Sequence, residues 1–406
     1  MRITLINQYF PPDAAPTGLM LQGVAEALSR EGHEVTILCG RGGGYADAGA
    51  KEGSQSDVDD DSFRVIRLGT TGFGRKTFLG KLIDYAGFYL RVAWQLLVLH
   101  PRPERIVALT TPPFLAVLVR FFSKLRKAEH AHWVMDLYPD VMVAHGMIPE
   151  QGLANRVLGA LTRWGFGGAR NRMVLTLGPD MNERVAEYLK EETARDWVPL
   201  WGTAGPRISD EREGETSQKS EEGPLVLMYS GNMGLGHRFE EFLQAANQAG
   251  NPAGKGFIWK FHGEGKRKQE IAQFITENPD APVSLGGYVA KEDLGDHLAA
   301  ADIHLVSLET SWDGTMVPSK LQGIFAIGRP VIFIGSESCS IGRWILESGG
   351  GWVVAPGDVE GLLAVLQEAR DRSLRESKGL NALDYAREHF DRIGNSLKVA
   401  RLLTSK

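Results

Sequence analysis

The residues best suited to chemistry lie in Gly314-Thr-Met-Val-Pro-Ser-Lys-Leu-Gln-Gly-Ile-Phe-Ala-Ile-Gly-Arg-Pro-Val-Ile-Phe-Ile-Gly-Ser-Glu337. A loop of small residues there runs into a short helical segment carrying Lys320, which stops at Gly328. The apolar run Val331 to Ile334 that follows is expected to be a buried parallel strand. Loop amides and a helix N-terminus offer unpaired N–H groups, and a lysine in the first turn adds a full positive charge where an anion would sit. The same pattern also fits an ordinary strand-to-helix connection with a surface lysine. The elements around it have to decide.

The chain has 406 residues and 43% hydrophobic content, enough for a sizeable core and, at roughly 100–200 residues per domain, for two domains. A net charge of −5 exerts no global pull toward nucleic acid, and no nucleic-acid partner is expected. Only Cys39 and Cys339 are present, far apart, which argues against a disulfide framework and for a reducing compartment. Met1 to Gln8 is too short for the apolar core of a signal peptide and fits a first buried strand.

Met1 to Asn7, a turn-rich stretch to Gly18, an amphipathic stretch to Gly32 and the apolar Glu34 to Cys39 make a strand, helix and strand. Leu21, Val24, Ala25 and Leu28 recur at helical spacing in it. Phe63 to Leu68, Arg105 to Leu109 and His132 to Met135 are expected to be further strands of an open parallel α/β sheet. Residues 42 to 62 are polar, Gly-rich and acidic, as is the tract 206 to 223, where the domain boundary is placed. The pattern then restarts, with expected strands Leu225 to Tyr229, Phe257 to His262, Val283 to Leu285 and Ile303 to Leu308. The expected division is 1–205, a linker 206–223, a second domain 224–385, and a C-terminal helix 386–406 that could return to the first domain. Ligands of such sheets bind at the carboxyl ends of the strands, here in a cleft between two facing domains.

In order along the chain come Pro16-Thr-Gly18, Leu28-Ser-Arg-Glu-Gly-His-Glu-Val-Thr36, Trp133-Val-Met-Asp-Leu-Tyr-Pro-Asp140 and Tyr229-Ser-Gly-Asn-Met-Gly-Leu-Gly-His237. Phe261-His-Gly-Glu-Gly265, Leu298-Ala-Ala-Ala-Asp302 and Val317-Pro-Ser-Lys320 complete the set. With them the chain resembles, over nearly its whole length, the retaining glycosyltransferases of family four, and within them the polysaccharide-locus branch. The resemblance implies the GT-B fold, two Rossmann-like domains with parallel sheets facing each other across a cleft. It implies transfer of a sugar from a UDP- or GDP-sugar to a saccharide acceptor, a lipid-linked one in this branch, with no cofactor. Nucleotide-sugar 2-epimerisation and a nonenzymatic nucleotide-sugar-binding subunit are the alternatives on the same architecture. One departure matters: the family's paired glutamates would fall at Thr315 and Gly323, so its carboxylate contacts to the donor sugar do not carry over.

A nucleoside diphosphate leaving group develops negative charge, which backbone amides and a lysine or arginine can stabilise. Lys320 is the first choice for that cation, with Pro318 and Ser319 beside it. Gly231, Asn232, Gly234 and Gly236 form a candidate phosphate or ribose cradle, His237 and Arg238 a candidate second cation, and Glu264 a candidate ribose acceptor. In the first domain, the Thr17 and Gly18 amides could meet the donor phosphate or an acceptor oxygen. Asp136, where many relatives carry a histidine, is expected near the reacting sugar or acceptor hydroxyl, and Asp140 as a helix cap. In this fold retention is usually explained by same-face attack, in which a leaving-group oxygen takes the acceptor's proton and no side-chain base is needed. Asp57-Val-Asp59 superficially resembles a metal-binding Asp-x-Asp, but it stands in the acidic tract with no strand before it, and no metal is expected.

Gly74 to Ile83, Tyr89 to Leu99 and Arg120 to Lys127 combine basic residues with leucines and aromatics. None offers the ~20 apolar residues of a membrane span. They fit either core-packed helices with basic outer faces or a surface that lies on an anionic bilayer. The second reading suits a lipid-linked acceptor and a protein peripheral to the inner face of the cytoplasmic membrane.

Overall fold

The computed structural model describes residues 1–13, 15–41, 62–69, 78–200, 223–248, 256–290 and 293–405. The acidic tract at 42–62 and the linker at 206–223 fall almost wholly outside them, as do Asp57, Asp59 and the beginning of the basic stretch Gly74 to Ile83.

Two compact units are present. The first comprises Met1–Thr203, Gly314–Val317 and Arg392–Lys406, and the second Ala204–Asp313 and Pro318–Asp391. The first unit holds the strands β1 (Arg2–Ile6), β2 (Glu34–Gly40), β3 (Arg64–Leu68), β4 (Arg105–Ala108), β5 (Glu129–Trp133), β6 (Asn171–Thr176) and β7 (Arg195–Trp197). They form a parallel sheet in the order β3-β2-β1-β4-β5-β6-β7. Its central strands are buried along nearly their whole length because helices cover both faces. Helix Pro16–Arg30 buries Leu21, Val24, Ala25 and Leu28, the stripe expected from their spacing. The last helix, Arg392–Thr404, belongs to this unit. Arg392 donates to Leu19 O at 3.2 Å, and the fully buried Arg105 reaches Leu403 O at 2.6 Å while pairing with Glu129 at 2.5 Å.

One strand was misplaced by the sequence pattern. The expected His132 to Met135 is found as Glu129–Trp133, because two histidines stand inside a buried strand. His130 bonds Ser123 Oγ at 3.0 Å, its ring packs 5.2 Å from that of His132, and burial pushes His130 down to about 4 and His132 well below the usual range. Held neutral, both behave as flat, nearly apolar rings.

The second unit carries β8 (Leu225–Ser230), β9 (Phe257–His262), β10 (Val283–Gly286), β11 (Ile303–Ser307), β12 (Val331–Ile334) and β13 (Gly351–Val354), all parallel, in the order β10-β9-β8-β11-β12-β13. The strand expected at Val331 to Ile334 is there, fully buried between β11 and β13. In each unit the chain order reverses once, between β1 and β4 and between β8 and β11. Such reversals open a crevice at the carboxyl ends of the strands. Asn7, Thr17 and Thr110 lie at the first, and Ser230 to Arg238, Ser307 and Lys320 at the second.

Candidate functional site

In the second unit, the turn after β8 is stitched to β9 by Gly231 N donating to His262 O at 2.9 Å and Met233 N to Glu264 O at 2.8 Å. Gly231 has φ +141, and a Cβ there would stand 2.5 Å from Lys320 Cε. A Cβ at Gly236 would meet the Trp312 ring at 3.0 Å, and one at Gly234 the Asn232 side chain at 3.4 Å. The glycines expected to admit a ligand therefore first admit the protein's own groups, above all the stem of Lys320.

Helix Lys320–Ala326 begins at Lys320, with Ser319 before it making no side-chain cap and Pro318 buried. The Lys320 ammonium lies 2.9 Å from His237 Nε2 and 3.4 Å from Asn232 O, and 4.9 Å over the Tyr229 ring. Although the residue keeps partial exposure, burial of its amine pushes it down to about 7.

His237 does not act as the expected second cation. It is buried, its Nδ1 is 2.7 Å from Ser307 O, and burial together with the Lys320 charge pushes it down to about 3. Arg238 is likewise committed: its guanidinium pairs with Glu241 at 2.5 Å and with Glu309 at 2.8 Å, and these carboxylates, Glu241 first, raise it further above its ordinary value. Glu309 also binds Arg267 at 3.0 Å, and Arg267 in turn donates to His237 O and pairs with Glu270. Ser307, Glu309 and Arg267 were not singled out from the sequence. Their one signal was position, since Ser307 and Glu309 close the strand beside the reversal. Glu264 accepts from Lys268 at 2.6 Å, so its carboxylate already has a partner.

In the first unit, Asn7 Nδ2 donates to Tyr9 O at 2.7 Å and to Thr17 Oγ1 at 3.4 Å, tying the end of β1 to the helix that follows. The Gly18 amide donates to Ala15 O at 3.0 Å and is not the unpaired donor expected of it. Asp136 stands three residues beyond β5, its amide donating to Thr110 Oγ1 at 3.2 Å, and it bridges to Met316. Leu137 N bonds Thr315 O at 2.8 Å and Gly314 N bonds Asp180 Oδ2 at 3.1 Å, so residues 314–317 run as a short strap on this unit. Burial lifts Asp136 to about 6, beside a small cavity lined by Thr110, Phe114, Tyr138 and Thr162. A carboxyl poised there can both accept and donate a proton near neutral pH. Asp140 is the first helical residue rather than a cap, and its carboxylate accepts from Arg184 at 2.7 Å and Tyr188 at 2.6 Å. Among the described residues no group of three His, Cys, Asp or Glu is gathered as for a metal ion.

The family described as "Glycosyl transferase 4-like domain" matches residues 17–201. The chain is 24% identical to "Probable glycosyltransferase WbjE" of Pseudomonas aeruginosa over 93% of this chain and 92% of that one. It is 21% identical to "Putative colanic acid biosynthesis glycosyl transferase WcaI" of Escherichia coli (strain K12) over 91% and 92%. The structure of Anabaena Alr3699/HepE in complex with UDP superposes with a TM-score of 0.68 at 15% identity, covering all of both chains. Two Rossmann-like units with these likenesses define a glycosyltransferase of GT-B fold. Within that class the chain is similar to glycosyltransferase family four, the likeness to the family model resting on its first unit.

Proposed function

We propose that this glycosyltransferase moves a sugar, with retention at the anomeric carbon, from a nucleoside diphosphate sugar to a lipid-linked saccharide in surface polysaccharide synthesis. The observation that carries the reading is the Lys320 ammonium, held over the Gly231–Asn232 turn at the reversal between β8 and β11. An ammonium there would offset the charge that develops on the leaving diphosphate. As the bond from the sugar carbon to phosphate breaks, the acceptor oxygen bonds that carbon on the same face and its proton passes to a phosphate oxygen. Polysaccharide synthesis draws support from the names of the relatives, and uridine as the base from the UDP complex. The test is incubation with UDP- and GDP-sugars and a membrane lipid extract, followed by NMR of the product's anomeric configuration. Release of the nucleotide with sugar on lipid supports the reading, and binding without turnover refutes it.

The ammonium implies a pH dependence. Lys320 is half protonated near pH 7 in the donor-free protein, while a bound diphosphate favours the charged form and raises its pKa. Donor binding must then take up a proton above about pH 7, so affinity is full below that pH and weakens as pH rises, by up to about tenfold per unit. Calorimetry with a nucleotide sugar, whose diphosphate does not titrate here, should show this between pH 6.5 and 8.5, with proton uptake visible across buffers. A flat profile would remove Lys320 from the donor.

Membrane docking rests on the first unit. Helix Leu115–Arg126 packs between helices Phe78–Val98 and Leu153–Phe166. Together they expose Leu90, Trp94, Phe121, Leu125, Leu153, Val157 and Trp164. Lys124, Lys127 and Arg156 are exposed among them, and the third helix had not been noticed in the sequence. No described helix is long and apolar enough to cross a membrane, so the surface is suited to lying on one. At ~1 kcal/mol per basic residue, glutamine at Lys124, Lys127 and Arg156 should weaken binding to anionic liposomes about a hundredfold at low salt, leaving nucleotide-sugar affinity unchanged. Wild-type protein that ignores such liposomes would favour a soluble acceptor.

Metal independence is the remaining expectation. Transfer should persist in excess chelator, and a loss restored by added Mg²⁺ or Mn²⁺ would overturn it.

A further inference from the structure

The two contacts of His237 agree on a single tautomer. A carbonyl oxygen can only accept, so the 2.7 Å contact to Ser307 O places the ring proton on Nδ1. An ammonium can only donate, so the 2.9 Å contact to Lys320 requires a bare lone pair on Nε2. One neutral imidazole satisfies both. The ring is buried and packs edge-on to Tyr229 at 5.8 Å, and its carbonyl accepts from Arg267, so the whole residue is anchored. Lys320 has a flexible four-carbon stem, and the absent Cβ at Gly231 leaves room for that stem to cross the turn. Without an acceptor at the far end, the longer Asn232 O contact and the face of the Tyr229 ring are what would hold the ammonium among the described residues.

We propose that His237 is the positioning residue of Lys320: a tautomer set by the Ser307 carbonyl presents Nε2 as a fixed acceptor that holds the ammonium where the donor's diphosphate arrives. The inference rests on the reading of Lys320 as the diphosphate's cation. It explains why a histidine suits this place better than a second cation. A charged neighbour would repel the ammonium, whereas an imidazole that burial keeps neutral offers Nε2 as an acceptor and adds no charge of its own. Orientation of a catalytic charge has kinetic weight, since a displacement of about 1 Å costs on the order of a hundredfold in rate.

The test has one arm that needs no catalysis. Nitrogen-15 NMR of the imidazoles in the donor-free protein should show His237 with a protonated Nδ1 and an unprotonated, hydrogen-bonded Nε2, and the Nε2 signal should move in Lys320→Met. A protonated Nε2, or a signal indifferent to Lys320→Met, overturns the proposal. The second arm compares two substitutions of similar size. His237→Gln keeps an acceptor oxygen and should retain turnover within about fivefold. His237→Leu fills the space without one and should lose about a hundredfold at saturating nucleotide sugar. His237→Leu combined with Lys320→Ala should be no slower than Lys320→Ala alone. Equal behaviour of Gln and Leu, or losses that multiply, would reduce His237 to a packing residue. If His237→Leu does not fold, the NMR arm decides. If Lys320→Ala keeps full turnover while the NMR signature holds, the contact stands and it is the diphosphate reading that fails.

Discussion

Lys320→Ala should lower turnover by roughly two to three orders of magnitude, the loss typical when one preorganised group facing developing charge is removed. The size of the effect follows from what surrounds the ammonium. Arg238 is held by Glu241 and Glu309, and Arg267 by Glu309 and Glu270, so neither guanidinium is at liberty to take over the charge. His237 is neutral and cannot replace it either. The fold should survive, because the residue is partly exposed and burial of its amine costs the charged form energy. Lys320→Arg should recover little, since a planar guanidinium is bulkier than the ammonium in the tight passage over Gly231 and does not place one point charge where the ammonium donates to Nε2. Turnover of Lys320→Ala within tenfold of wild type would refute the assignment.

Gly263→Ala should cost about 3 kcal/mol or more of stability in the second unit and abolish nucleotide-sugar binding with it. Gly263 has φ +144, a region that L side chains avoid at a cost of about 1–3 kcal/mol. A Cβ there would also stand 1.9 Å from Gly231 O, so the backbone of the turn that carries the candidate site must move. Overpacking of that kind adds about 1–3 kcal/mol more. The two costs act on the same turn, which Gly231 N ties to His262 O, and Lys320 crosses the displaced residue. Urea unfolding followed by tryptophan fluorescence, with calorimetric titration of a UDP-sugar, would measure both. A variant with unchanged midpoint and affinity would show that the turn can yield and that its shape does not matter.

Much of this scaffold was legible before any coordinates. Val331 to Ile334 is a short apolar run before a glycine and proved a fully buried interior strand. Leu21, Val24, Ala25 and Leu28 proved one buried stripe. Patterning failed where residue type misled: β5 contains His130 and His132, which look polar until burial makes them neutral. It also passed over β6, Asn171–Thr176, over β7, Arg195–Trp197, too short and too exposed to carry an alternating pattern, and over β13, which opens on a glycine and so resembles a turn.

Determined by the sequence alone were the alternation of strand and helix, the two-part architecture and the presence of a lysine in a loop-to-helix setting. Burial of apolar residues is repeated at fixed short spacing, so it can be seen locally. The tertiary structure alone decided which ionisable groups carry charge. Arg238 meets Glu309 from 71 residues away, His237 meets Ser307 across 70, and Lys320 meets His237 across 83. Those distances in sequence close only because β8 and β11 are neighbours at the point where the sheet order reverses. Charge state depends on the partners and the burial that such closure supplies, and for this reason His237, placed by the sequence among the cations, is the neutral acceptor beside one.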